Sequence, residues 1–197
     1  MAITKMWKVD GRLDNTINYA VNGEKTEQML YVSGINCMPD TAFYEMKNVK
    51  KQFFKTGGIE CFHAIQSFVE KEVTPEQAHE IGIKLAEELW GDKYQVVVST
   101  HLNTDNIHNH FVLNSVSFLD GKRFCNAKKD YATMRKTSDR LCEEYKLSVI
   151  KEKVCAKSKI DYEKFYKEEM GYRMLLDYPP AAHMMTVFGA CQDEELL

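Results

Sequence analysis

Three of the six histidines in this 197-residue chain fall within ten positions, as His101, His108 and His110. The segment 102–107 separates the first from the other two, and its Asn, Thr and Asp residues are typical of a turn. If two antiparallel strands flank that turn, His101 and His108 face each other with Cβ atoms about 5 Å apart. His110 shares a strand face with His108, because side chains alternate along a strand. The spacing therefore predicts that three imidazoles converge on one point.

Three converging imidazoles are a typical ligand set for a divalent metal ion with open coordination positions. Asn114 lies on the same strand face as His110, and Asp105 lies in the turn. Either residue could hydrogen-bond a ligand histidine and fix its tautomer. An isolated His-x-His pair is more often an exposed pair, but the third histidine favours a metal site. His79 has no such neighbours in the sequence and is expected at the surface.

Such a site leaves two reactions open. A metal-bound water could attack the substrate, or the metal could polarise a phosphate that a side chain attacks. Tyr19 is a candidate nucleophile, because it lies opposite the apolar stripe of the predicted helix that contains Leu13 and Ile17. Its spacing alone carries little weight. The proton acceptor for Tyr19 stays open between His63, Asp105 and a metal-bound water.

The elements that must position these residues alternate between strand and helix. Segment 57–69 is apolar on both faces and is expected to be a central strand. Thr74, Pro75 and Gln77 form the start of the clearest helix, with a capping box. The short turn at 102–107 requires antiparallel neighbours, so we predict an α+β two-layer sandwich with a mainly antiparallel sheet of about five strands and helices on one face. Strands are predicted at 2–9, 29–35, 57–69, 94–101 and 108–118, and helices at 12–22, 40–54, 74–91 and 128–147.

The composition excludes several classes of protein. No apolar run approaches the length of a membrane span or resembles a secretory signal, so no membrane insertion is expected. The six cysteines are scattered without a C-x-x-C pair, which favours reduced thiols in a cytoplasm. Residues 122–157 hold eleven basic and five acidic side chains, a local excess suited to nucleic acid but also typical of a solvated helix.

The motifs around these residues resemble those of a known family. Residues 101–116, HLNTDNIHNHFVLNSV, resemble the third motif of conjugative relaxases, in which a histidine, a TDN turn and an H-x-H precede an apolar strand. Residues 16–26, TINYAVNGEKT, resemble the first motif of the MobA/MobL (MobP-type) branch, whose tyrosine is the nucleophile. The resemblance continues through HAIQSF, DGKRF and SDRLCEEYKLSVI and covers nearly all of residues 2–152. Together these motifs are specific, although each would be weaker alone.

The resemblance implies the H-U-H endonuclease fold and the nicking of one DNA strand at an origin of transfer. Tyr19 would attack the scissile phosphate and stay joined to the 5′ end, releasing a 3′ hydroxyl. The three histidines would hold Mg²⁺ or Mn²⁺. The implied partners are single-stranded origin DNA, accessory relaxosome proteins and a type IV secretion coupling protein, and a cytoplasmic monomer is expected. Candidate DNA contacts are Lys25, Thr26, His63, Lys122, Arg123, Lys128, Lys129 and Arg135.

The last part of the chain departs from the relaxase pattern. Residues 158–197 carry four basic and eight acidic side chains. Their sequence resembles a fragment of the primosomal replication-restart helicase (primosomal protein N′), without its helicase motifs. We therefore predict a nuclease domain at 1–152 and a tail at 153–197, interpreted as a fused fragment with no function of its own.

Three alternatives remain beside the relaxase interpretation. A rolling-circle replication initiator shares the implied fold and chemistry, but its tyrosine usually follows the histidine motif, whereas Tyr19 precedes it. A catalytically impaired DNA-binding remnant would fit a truncated chain with a foreign tail. A zinc hydrolase is the weakest alternative, because the motif lacks a carboxylate placed as a general base.

Overall fold

The computed structural model describes residues 2–27, 29–104 and 106–149. Five strands and four helices follow one another in the predicted order. A 3₁₀ turn, Pro39–Thr41, precedes the second helix, and a π-helical turn, Glu87–Gly91, extends the third. The elements are β1 (Ile3–Val9), α1 (Leu13–Ala20), β2 (Val32–Ile35), α2 (Ala42–Gln52), β3 (Cys61–Ser67), α3 (Pro75–Ala86), β4 (Val96–His101), β5 (His108–Asn114) and α4 (Lys128–Glu144).

Two of the predictions fall outside the described residues. Asp105 lies between β4 and β5 in the sequence and is not among the described residues. The proposed tail at 153–197, and with it the boundary after residue 152, also lies outside them. Both therefore stay predictions.

All five strands form one antiparallel sheet in the order β1-β3-β5-β4-β2. The predicted α+β fold with an antiparallel sheet of five strands is confirmed. Strands β4 and β5 are joined by the turn at 102–107, and His101 pairs directly with His108. Strand β5 lies at the centre, between β3 and β4, and every one of its residues is buried.

The prediction that the helices cover one face of the sheet is wrong. Helices α1 and α2 bury Leu13, Ile17 and Met46 against Val97 and Val112 on one face. On the opposite face, α3 and α4 bury a second cluster. Both faces are covered because β3, β4 and β5 are apolar on both sides, and each side must be removed from water. The second cluster includes Ile81, Leu85, Met134, Leu141, Phe62, Val98, Phe111 and Leu113.

Local sequence explains where the best-defined helix begins. The Thr74 hydroxyl accepts a hydrogen bond from the Gln77 backbone N–H, and the Gln77 side chain accepts one from the Thr74 N–H, both at 3.3 Å. This is the predicted capping box, with Pro75 in the first turn. Within the described residues, no helix combines the length and apolar character needed to cross a membrane.

Candidate active site

The β4–β5 hairpin brings His101, His108 and His110 together on the sheet face covered by α1. Their ring centroids are 4.1 Å apart for His101 and His110, 4.9 Å for His108 and His110, and 5.3 Å for His101 and His108. Each histidine offers a ring nitrogen, and these nitrogens lie within 4.8 Å of one another. The side chains are 0%, 6% and 1% exposed, respectively. The predicted convergence of the three imidazoles is therefore present in the structure.

Hydrogen bonds engage one nitrogen of each ring and leave the other available. His101 Nε2 lies 2.8 Å from the Ala20 carbonyl oxygen, and His108 Nδ1 lies 2.9 Å from that of Asn106. A carbonyl only accepts, so each of these nitrogens carries the proton and the other nitrogen keeps its lone pair. Nδ1 of His101 and Nε2 of His110 are buried and have no hydrogen-bond partner among the described residues. Buried, unpartnered lone pairs on converging rings fit a divalent metal ion.

Burial also keeps the imidazoles neutral. Desolvation lowers the pKa of His101 to about 4 and lowers that of His108. The pKa of His110 lies well below its ordinary value, first because the ring is buried and then because other histidines surround it. Only a neutral imidazole can ligate a metal, so these shifts favour ligation at neutral pH.

Tyr19 places its ring against this cluster from the end of α1. Its centroid lies 5.5 Å from that of His110 and 5.7 Å from that of His101, both in edge-on geometry. The side chain is 43% exposed, although Leu13, Ile17 and Ala20 on the other side of α1 are buried. The structure thus brings the candidate nucleophile and the three histidines to one place, with Tyr19 open to solvent.

Lys25 lies beside the ring of Tyr19. Its ammonium nitrogen lies 4.1 Å from the centroid of the Tyr19 ring. Its backbone carbonyl accepts a hydrogen bond of 2.8 Å from the Leu102 N–H, which ties the segment after α1 to the end of β4. A positive charge beside the phenol is well placed to attract a phosphate.

His63 lies behind the cluster, on the neighbouring strand β3. It is 6% exposed, and its Nε2 lies 2.8 Å from Nδ1 of His110. Burial lowers the pKa of His63 to about 4. The sequence left its role open, because the β3–β5 pairing that brings it to His110 joins segments more than forty residues apart.

A chain of buried polar side chains supports the hairpin from the opposite sheet face, and the sequence did not reveal it. Thr100 donates to Asn109 Oδ1 at 2.7 Å, and Asn109 Nδ2 donates to Gln66 Oε1 and to the Ala78 carbonyl, at 3.1 and 2.6 Å. Asn109 stands between two of the clustered histidines and Thr100 beside the third. The chain continues from Gln66 to Ser138 and from Thr100 through His79 to Ser33.

The expectation that His79 is a surface residue is therefore wrong. Its side chain is half-buried, with Nδ1 2.9 Å from the Thr100 hydroxyl and Nε2 2.8 Å from the Ser33 hydroxyl. The available signal was polar residues at Gln66, Thr100 and Asn109 on a strand face that is otherwise apolar. Such residues need buried partners, and a histidine on a facing helix is a suitable one.

Two other expectations are corrected by the structure. Asn114 shares the face of His110 but lies four residues farther along β5, about 13 Å away at strand spacing. Its amide donates to Gln95 Oε1 and to the Met46 carbonyl instead. Thr26 is fully buried, and its hydroxyl donates to the Asn22 carbonyl and accepts from the Met29 N–H. The Thr26 side chain is thus part of a turn and is not presented to a phosphate.

None of the predicted basic DNA contacts after β5 shares both the sheet face and the sheet end of the three histidines. Arg123 donates to three backbone carbonyls in the segment that precedes β3, those of Lys55, Gly57 and Ile59. This segment lies at the end of the sheet opposite His108. Lys122 is exposed and pairs with Asp120 at 3.3 Å. The remaining three lie on α4, which packs on the sheet face opposite the three histidines. These are Lys128 and Lys129, both exposed, and the half-buried Arg135.

The chain matches a protein family over most of the described residues. The family model described as "Relaxase: MobA/VirD2-like, nuclease domain" matches residues 19–147. Protein rlx of Staphylococcus aureus is 39% identical over 153 residues, which cover 78% of this chain and 44% of that protein. The group II intron-interrupted relaxase LtrB of Lactococcus lactis is 33% identical over 143 residues, 63% of this chain and 25% of that protein. The chain thus spans less than half the length of these curated relatives.

Solved structures share the fold at low sequence identity. The MobM relaxase domain, solved with Mn and bound to plasmid pMV158 oriT DNA, aligns with a TM-score of 0.58 and 12% identity. That alignment covers 86% of this chain and 98% of the MobM chain. A structure solved for the molecular basis of vancomycin resistance transfer in Staphylococcus aureus aligns with a TM-score of 0.52 and 15% identity, over 76% of this chain and 96% of that one.

Proposed function

The chain belongs to the MobA/VirD2-like relaxases through its nuclease domain, and from that premise we propose that it nicks and rejoins one DNA strand at an origin of transfer. The observation that carries the proposal is the position of Tyr19, whose half-exposed ring stands against the cluster of His101, His108 and His110. A solvent-accessible phenol next to a buried metal-ligand set suits attack on a phosphate by a side chain.

In the proposed reaction, the Tyr19 oxygen attacks the scissile phosphorus and forms a phosphotyrosine ester with the 5′ end of the strand. The bond from phosphorus to the 3′ oxygen breaks, and that oxygen leaves as a 3′ hydroxyl after gaining a proton. The phenol proton passes to a base that the described residues do not single out. Because one phosphoester replaces another, the reverse attack by a 3′ hydroxyl rejoins the strand. Lys25, 4.1 Å from the ring centroid of Tyr19, is suited to hold the scissile phosphate.

His101, His108 and His110 would hold the metal, with one lone pair from each ring. A divalent ion bound there would neutralise charge that develops on the non-bridging phosphate oxygens. Three nitrogen ligands favour Mn²⁺ over Mg²⁺, because Mg²⁺ prefers oxygen ligands. The MobM relaxase domain was solved with Mn, in line with this preference.

The proposed substrate is single-stranded origin DNA, and the MobM relaxase domain offers a precedent with bound oriT DNA. Accessory relaxosome proteins and a type IV secretion coupling protein are proposed partners of a cytoplasmic monomer. Four cysteines of the described residues, Cys37, Cys61, Cys125 and Cys142, are free thiols, which fits a reducing compartment.

The rolling-circle initiator remains the second candidate, because its chemistry would use the same cluster.

A covalent adduct assay tests this proposal. The full chain is incubated with Mn²⁺ and a labelled single-stranded oligonucleotide that carries the origin of its own element, and the products are separated on a denaturing gel. We expect a protein–DNA adduct that depends on the metal, and no adduct with Tyr19→Phe, which removes only the attacking oxygen. Tyr44→Phe, an exposed tyrosine on α2, is the matched control and should react normally. An adduct with Tyr19→Phe would exclude Tyr19 as the nucleophile.

A further inference from the structure

The contact between His63 and His110 constrains where both rings carry their protons. His63 Nε2 and His110 Nδ1 are 2.8 Å apart, so one nitrogen donates and the other accepts. If His63 donated, the proton of neutral His110 would have to sit on Nε2. That nitrogen could then not ligate a metal, because its lone pair would be used.

The opposite arrangement leaves the ligand atom free. When His110 donates from Nδ1 to His63 Nε2, the lone pair of His110 stays on Nε2. That atom is buried and has no hydrogen-bond partner among the described residues, and His110 belongs to the cluster with His101 and His108. A protonated His63 would donate from Nε2 as well and would force the unproductive tautomer, so this arrangement also requires His63 to be neutral.

Packing holds the His63 ring in this position. The Trp7 ring lies against it with a centroid distance of 4.6 Å, and the centroid of His110 is 5.0 Å away on the other side. The Tyr19 centroid is farther, at 6.3 Å. Strand pairing fixes these neighbours, because His63 pairs with Trp7 on β1 and lies two residues from Ile65, the partner of His110 on β5.

We propose that His63 is a positioning residue that accepts the Nδ1 proton of His110 and thereby keeps Nε2 of His110 ready for a divalent metal ion. The inference rests on the proposed function, since it assumes that the three clustered histidines hold the metal. It assigns His63 to the metal site, in place of a contact with the phosphate or a role as the base for Tyr19. Outer partners of this kind typically change metal affinity 10- to 100-fold.

The test compares two substitutions at His63 in the full chain. His63→Gln keeps an acceptor, because its carbonyl oxygen can reach the Nδ1 proton, whereas His63→Leu keeps an apolar side chain without one. Titration with Mn²⁺ alone in a calorimeter should give an affinity close to that of the unsubstituted chain for His63→Gln and one about 10- to 100-fold weaker for His63→Leu. Two-bond proton–nitrogen NMR should show His110 as the Nδ1–H tautomer in His63→Gln. In His63→Leu it should show a mixture of the Nδ1–H and Nε2–H tautomers.

Each outcome decides between the roles of His63. Equal Mn²⁺ affinity in the Leu variant would overturn the inference, and so would a Gln variant that binds Mn²⁺ normally but no longer forms the DNA adduct. Absence of Mn²⁺ binding by the unsubstituted chain would contradict the proposed metal site itself. If circular dichroism shows that His63→Leu does not fold, His63→Phe replaces it, because a phenyl ring keeps the packing against Trp7 and offers no acceptor.

Discussion

At the scale of single residues, the cluster of buried imidazoles makes the metal-free protein sensitive to acid. Burial lowers the pKa values of His63 and His101 to about 4, while an unfolded chain titrates near 6.5. Between these values the unfolded state binds more protons than the folded state. The free energy of unfolding therefore falls as the pH drops from about 6.5 towards 4. Above about pH 6.5 the contribution of these two histidines to stability is fully present.

We predict that each of these two histidines costs about 1.4 kcal/mol of stability per pH unit within the window. Urea unfolding in the presence of a chelator, followed by circular dichroism at pH 7.5, 6.5, 5.5 and 4.5, measures the effect. His63→Gln has one fewer buried imidazole and should show a shallower slope. A free energy of unfolding that stays constant down to pH 4.5 would show that burial does not lower the pKa values of His63 and His101.

Residue types and spacing predicted which three histidines converge, but they did not predict which residues contact those histidines. The convergence of His101, His108 and His110 followed from strand alternation and a short turn, which are both local. Asn114 was assigned wrongly because alternation fixes the face of a residue but gives no distance along the strand. The His63–His110 contact depends on which strands are neighbours, and no local pattern in the sequence gives that order.

At the scale of elements, α3 and the hairpin fit together through a glycine. A Cβ atom at Gly82 would lie 2.6 Å from Asn109 Nδ2 and 3.3 Å from a Val98 methyl. Gly82 therefore makes room for the amide that bonds to Gln66 and to the Ala78 carbonyl. The buried polar chain behind the histidines depends on this close approach of helix and strand.

We predict that Gly82→Ala destabilises the protein by about 1–3 kcal/mol, because the new methyl group displaces the Asn109 amide. This direction is opposite to the gain of up to about 1 kcal/mol expected from a better helix former. Chemical denaturation measures the difference, and Mn²⁺ titration should show a weaker affinity because Asn109 stands between His108 and His110. Gly91→Ala is the matched control, since its Cβ would meet only ordinary contacts at 3.7 and 3.8 Å. A more stable Gly82→Ala protein would show that the amide has room to move.

The order of the elements was predictable, but their layering was not deduced. Hydrophobic periodicity and the Thr74 capping box located the helices, and the short turn required antiparallel strands. The sequence around β3 is apolar on both sides. That pattern requires a second layer of helices over the sheet, so helices on one face alone are inconsistent with a central strand.

At the scale of the whole molecule, the described residues enclose both apolar clusters and the candidate active site. The cluster under α3 and α4 reaches Leu147 and Val149 at its end, and the family match ends at residue 147. We therefore predict that a chain ending at residue 152 folds, binds Mn²⁺ and forms the DNA adduct like the full chain. Thermal unfolding, calorimetry and the adduct gel compare the two. Loss of folding or of the adduct in the shorter chain would show that the remaining residues contribute to the domain.

The hydrogen bond from His101 to the Ala20 carbonyl joins the cluster of three histidines to the residue after Tyr19, the proposed nucleophile. A ligand that orders the His101 ring would therefore also order the end of α1, and DNA held by Tyr19 and Lys25, as proposed above, would act on the same hydrogen bond from the α1 side. Thermodynamic linkage makes this coupling reciprocal: any factor by which Mn²⁺ raises the affinity for DNA must equal the factor by which DNA raises the affinity for Mn²⁺. A relaxase with this coupling would retain its metal most tightly while its origin is bound and release it more readily once the strand has left.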